Sequence, residues 1–202
     1  MKHPFPPLIK DVFGDGSLFH WIGKVHFSSW KGFAAEQDLT PDGWSSPDPR
    51  PDGELSLCIS PLDMSAGSEP TEEQASAFQH LLDNESEMRD VVLQGVFREY
   101  PSWRTSYYGG KISSDGGKTY QPASAFPEMF PSENMPEISK PADLTRLIRP
   151  QGIHILKDAK DGLAEVGFAF ACKWDEEHGL GVLTHKGQVI QVGDGTASFE
   201  HV

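Results

Sequence analysis

From Val166 to Trp174 the chain alternates. Val166, Phe168, Phe170, Cys172 and Trp174 are large and apolar on one side, while Gly167, Ala169 and Ala171 are small on the other. A period of two held over nine residues is the mark of a strand. A face without side-chain bulk lets a helix or another stretch of backbone come close. Any fold open to this chain must therefore give that strand a core on one side and a close neighbour on the other. The flanking segments repeat the pattern. GIHIL alternates before it, and GLGVLTH and QVIQVG follow on either side of Lys186-Gly187. That dipeptide reads as a two-residue hairpin turn that sets Leu183 opposite Ile190.

Earlier in the chain, Phe19 to Phe27 alternates as well, with Phe19, Trp21, Gly23, Val25 and Phe27 against His20, Ile22, Lys24 and His26. In ELSLCIS, Leu55, Leu57 and Ile59 share a face, and the intervening TPDGWSSPDPRPDG carries Pro-Asp three times. Such a segment cannot pair regularly and reads as an exposed connection between strands. Thr71 and Gln74 have capping-box spacing and predict a helix from about residue 71, with Ala75, Phe78 and Leu82 at helical steps. In ESEMRDVVLQGVFREY, Met88, Val92, Val96 and Tyr100 form the stripe of a second helix, expected to stop at Pro101. Residues 102–141 show no sustained period and carry Trp103, Tyr107, Tyr108, Tyr120, Phe126 and Phe130. They read as a long loop, pinned by its aromatics or offering them to a ligand. A short helix is expected at Ala142 to Leu147. The expected fold is a single α+β domain over 1–202: an antiparallel β-sheet with two or three helices packed on one face, an N-terminal tail at 1–17 and an irregular loop at 102–141.

The chain has 17 Lys and Arg against 30 Asp and Glu, a formal net charge of −13. That field repels phosphate backbones and anionic lipid, so neither nucleic acid nor membrane is an expected partner, and basic proteins are. No long apolar run is present, and three prolines interrupt MKHPFPPLIKDVFG where an export signal needs continuous apolar residues. A cytoplasmic location is expected. Cys58 and Cys172 lie far apart in apolar alternating runs and read as small core residues of a reducing compartment.

Chemistry concentrates in WDEEHGLG. Asp175 can cap one helical turn made by Glu176, Glu177 and His178, with Gly179 as a left-handed exit. As metal ligands these residues offer two or three groups without the spacing of a zinc motif, so no metal and no other cofactor is expected. General acid-base work needs a carboxylate or imidazole with a shifted pKa inside a pocket, and three adjacent acids are more simply solvated. His20 and His26 could join His154 or His185 across the sheet, but no acid accompanies them in sequence. There is no GxSxG elbow, no Cys signature beside a catalytic His, and YGGKISSDGGK lacks the order of a phosphate loop. No catalytic residues are assigned.

The stretch from Leu144 onward ends a strand in Trp-Asp, continues through Glu-His-Gly-Leu-Gly-Val and closes on Val-Gly. In these features, and in the upstream REYPSWR, it resembles an uncharacterised bacterial domain family, over about residues 20 to 200. Members of such families are often presumed immunity proteins beside polymorphic toxins or secreted effectors, so the resemblance implies a non-enzymatic binding protein that neutralises a cognate toxin. An acidic surface would steer such a protein to a basic toxin or effector. Asp42, Trp44, Asp48 and Asp52 in the Pro-Asp loop are one candidate partner-binding patch, and Asp175, Glu176, Glu177 and His178 are a second. Two other readings stay open: a small-molecule-binding or hydrolytic enzyme using Glu177 and His178 in a pocket beside Trp174, and a stand-alone structural or regulatory domain.

Overall fold

The alternating segment folds as expected into a strand at the heart of a seven-stranded sheet. The structure, a computed structural model, describes residues 4–13, 18–34, 51–63, 68–113 and 116–200. In chain order the strands are β1 (Ile9–Phe13), β2 (Leu18–His26), β3 (Glu54–Ile59), β4 (Lys111–Ile112), β5 (Gln121–Pro122), β6 (Ile148–Lys160), β7 (Leu163–Cys172), β8 (Asp175–His185) and β9 (Gln188–Gly193). The large sheet runs β1-β2-β3-β6-β7-β8-β9, and β4 pairs with β5 in a separate ribbon. Every pairing among the described residues is antiparallel except β3 with β6, which is parallel. The expectation of a purely antiparallel sheet is corrected at that one junction. A parallel pair needs a long crossover, and the helices α1 (Glu72–Asp83) and α2 (Glu85–Gly109) lie within it. The fold is α+β.

On its large face β7 buries Val166, Phe168, Phe170 and Cys172 in a core shared with Leu55, Leu57, Ile59 and residues of both helices. Trp30 stacks on Phe168, with ring centroids 5.2 Å apart and planes 5° from parallel. The small face has its close neighbour too. A methyl group added at Gly167 would run into the backbone carbonyl of Ser198, in the 3-10 turn Gly195–Ser198. The small residues of β7 are what let the C-terminal turn lie down on the sheet.

Thr71 caps α1, accepting from the Gln74 N–H at 3.3 Å while the Gln74 side chain accepts from the Thr71 N–H at 2.9 Å. The Gln74 amide, fully buried, also donates to the carbonyls of Ser60 at 2.6 Å and Leu156 at 3.0 Å. It thereby ties the helix start to β3 and β6, with its polar groups satisfied where an unpaired one would cost about 1–3 kcal/mol. The predicted α2 stripe of Met88, Val92, Val96 and Tyr100 is buried.

Several expectations are corrected. The N-terminal tail contains β1, whose residues pair with β2 from Ile9 opposite Ile22 to Phe13 opposite Leu18. The helix does not stop at Pro101 but runs eight residues further to Gly109, so the irregular stretch begins at Gly110. The predicted short helix near Ala142 is a 3-10 turn, Pro141–Arg146. Lys186 and Gly187 both have positive φ, 50° and 71°, and form the expected hairpin turn. Leu183, however, faces Gln191, because a register shift leaves Ile190 without a partner and 48% exposed. The shift turns Val189 toward α2, where it meets Gly95.

Candidate functional site

The WDEEHGLG segment is not a helical turn. Lys173 and Trp174 make the turn out of β7, and β8 starts at Asp175. Cys172 pairs with Asp175 and Phe170 with Leu180, so the single residue Ala171 stands opposite the run from Glu176 to Gly179. A strand with surplus residues must bulge. Gly179 absorbs the bend at φ +68°, where a side chain would also press on the Phe170 carbonyl. The left-handed glycine was predicted correctly, and so was the capping contact: the His178 N–H donates to Asp175 Oδ1 at 3.0 Å. The Cys172 thiol reaches the Asp175 carbonyl at 3.5 Å and fastens the bulge to β7.

In consequence Glu176, Glu177 and His178 stand out from the sheet, exposed. His178 Nδ1 lies 3.0 Å from Asp175 Oδ1, with 60% of the side chain open to solvent. This contact, the Asp175 charge and the charges of Glu177 and Asp194 hold the imidazole above its usual pKa, so it favours the cation. The Asp194 carboxyl is held below the usual carboxylate range by the Thr196 hydroxyl and N–H and by attraction to His178.

Beside the bulge lies an open cleft of about 380 Å³, walled by Trp103, Tyr107 and Trp174 and bordered by Asp175 and Asp194. Trp174, expected at the buried end of the β7 face, is only half-buried because it sits in the turn, and its ring forms this wall. The other wall comes from the extension of α2 past Pro101, which carries Trp103 and Tyr107 one turn apart. Tyr100 meets the Trp174 ring edge-on at 5.6 Å and 81°, and Trp103 lies 6.4 Å from it. Tyr107 is braced by Tyr108 at 4.9 Å and Phe130 at 5.2 Å, and its hydroxyl accepts from the Asn134 amide at 3.2 Å. Tyr108 and Arg104 bond to the carbonyls of Pro131 and Met135. Of the two roles the sequence allowed, the structure shows the pinning: Tyr107, Tyr108 and Phe130 hold the loop, while Trp103 and Tyr107 also line the cleft. A pocket beside Trp174 was among the readings the sequence left open, but Glu177 and His178 do not line it, and its second wall was missed because it required the helix to survive a proline.

Of the other candidate patch, Asp42, Trp44 and Asp48 lie outside the described residues. Asp52 accepts from the Gly32 N–H through both oxygens, at 3.2 and 3.1 Å, and lines a different and much smaller hollow beside Trp30. The structure does not bring it to the Asp175 cleft.

A row of polar groups also crosses the sheet on the small-residue side. Asp11 is the register partner of His20, and Cys58 that of His154. Cys58 Sγ lies 3.3 Å from His20 Nδ1. Burial and the Asp11 charge push the Cys58 thiol up to about 11, and burial with the nearby His20 pulls His154 down to about 4. A protonated thiol and a neutral imidazole are the resting forms at neutral pH, so the row offers no activated nucleophile. Among the described residues no group of three or more His, Cys, Asp or Glu side chains could hold a metal ion. No helix among them is long and apolar enough to cross a membrane.

A family model matches residues 35–199, from before β3 through to the C-terminal turn, and that family is described only as a domain of unknown function. No curated protein and no solved structure matches the chain. The matched span holds every residue of the cleft and omits β1 and β2.

Proposed function

The chain belongs to the family described as Domain of unknown function (DUF6985), and from that premise we propose that it is a non-enzymatic, acidic, cytosolic binding protein, an immunity protein that neutralises a cognate toxin of basic charge. One observation carries the reading. The bulge of β8 displays Asp175, Glu176 and Glu177 beside an open, aromatic-walled cleft in a protein whose formal charge is −13. Protein interfaces join apolar aromatic anchors to a charged rim that steers encounter, and this surface has both parts. His178 is spent on Asp175 at the solvent edge, the geometry of a surface charge pair and not of an enclosed general base.

The test is functional. The partner is captured on the full-length protein, its gene is expressed alone in a heterologous strain, and growth is scored with and without this chain. Rescue of growth, lost when Asp175, Glu176 and Glu177 become Asn, Gln and Gln, is the expected result. A captured partner that is harmless when expressed alone, or rescue that is indifferent to the three acids, would overturn the assignment.

A further inference from the structure

We propose that the cleft between α2 and the β8 bulge is a receptor for a single arginine side chain, presented by a basic protein partner and held between Trp103, Tyr107 and Trp174 with Asp175 and Asp194 as counter-charges. This rests on the binding reading above and names the group recognised. The walls are π faces and the rim is anionic. Two aspartates border the cleft, and among the described residues no Lys or Arg lines it. Arg104, next to Trp103 on α2, is not among the lining residues and is held by the Met135 carbonyl and over the Tyr108 ring. Aromatic faces attract cations, and carboxylates close by add to that attraction.

The site is organised before any ligand arrives. Tyr100 fixes the tilt of Trp174, Phe130 and Tyr108 fix Tyr107, and both aspartates are oriented by bonds made to Oδ1 alone among the described residues. His178 already shares Oδ1 of Asp175 and is attracted by both carboxylates, so among the described residues the Oδ2 atoms are the ones left for an arginine. At about 380 Å³ the cleft is at the small end of ligand sites, suited to one long side chain and not to a large cofactor. Arginine fits better than lysine because its planar guanidinium stacks on rings and donates in a fork to carboxylates, whereas an ammonium is a compact, strongly hydrated charge.

The experiment titrates the full chain with two end-blocked tripeptides, Gly-Arg-Gly and Gly-citrulline-Gly, which share shape and differ in charge, following the indole N–H signals of Trp103 and Trp174 by NMR. The expected result is saturable movement of both signals with the arginine peptide, at least tenfold weaker binding of the citrulline peptide, and at least tenfold weaker arginine binding in Asp175→Asn/Asp194→Asn. Asparagine keeps the Oδ1 bonds that hold the bulge and cap the 3-10 turn, so folding is preserved while charge is lost. Equal responses to the two peptides, or indole signals that stay still as the arginine peptide is added, would sink the assignment. A toxin that binds wild type and the double variant equally well also removes the cleft, and leaves the immunity reading standing. Arginine binding at the cleft without any rescue of growth supports the cleft and removes the immunity reading instead.

Discussion

At His154 the imidazole lies against the Phe199 ring, centroids 5.5 Å apart, with Cys58 as its strand partner and His20 beyond. Burial and the His20 charge disfavour its protonation, taking its pKa from 6.5 to about 4. The unfolded chain takes up this proton as pH falls below about 6.5, and the folded chain only near 4, so the linked stability is intact above 6.5 and drains away between 6.5 and 4. The full loss is on the order of 3 kcal/mol. Denaturant unfolding at pH 7 and at pH 4.5 measures it, and His154→Gln is expected to flatten the difference. A His154 NMR titration centred near 6.5 would contradict the burial account. Sequence reasoning reached part of this row, since the strand pattern allowed His20 to meet His154. It did not reach Cys58, because a thiol in an alternating apolar run looks the same whether it packs on carbon or on an imidazole. The same limit applies to Asp175. Its capping contact was legible three residues ahead, but its place on an aromatic cleft depends on a helix nearly 70 residues away.

Pro101 shows where local rules stop at the level of elements. A proline inside a helix removes the bond to the carbonyl four residues back, here that of Phe97, and costs about 3 kcal/mol. The helix continues regardless, because the turns beyond it carry Trp103, Arg104, Tyr107 and Tyr108, all anchored to the loop or to Trp174. Tertiary anchoring outweighs the local penalty. Replacing this exposed proline with alanine is expected to stabilise the protein by about 2 kcal/mol, the helix gain being offset in part by a freer unfolded chain. An unchanged or lowered melting temperature in Pro101→Ala would show that the proline geometry itself positions the aromatic turns. Where nothing competed with the local signal, the sequence was readable. The Thr71 capping box, the α2 stripe and the Lys186-Gly187 turn all formed. Strand β1 was hidden by its brevity and the preceding prolines, and the Ile190 slip by a bulge that only the packing of Val189 on Gly95 explains.

For the molecule as a whole, on the binding reading proposed above, the charge of −13 would set how fast a basic partner arrives more than how long it stays. Neutralising Asp175, Glu176 and Glu177 together is therefore expected to lower the association rate on the order of tenfold at low salt and to flatten its salt dependence, with a smaller effect on dissociation. Stopped-flow mixing over a range of salt concentrations decides it, and an unaltered rate would place the steering charge elsewhere. The single parallel junction imposes an order of events on synthesis. β3 pairs with β6, whose partner residues follow roughly 95 positions later, so a ribosome moving at about 5–20 residues per second leaves that border of the nascent sheet uncovered for roughly 5–20 s. During that interval the first three strands form a half-built sheet with a hydrogen-bonding edge open to any extended chain nearby. A product truncated at Leu147 keeps that edge permanently and should self-associate on a sizing column where the full chain does not.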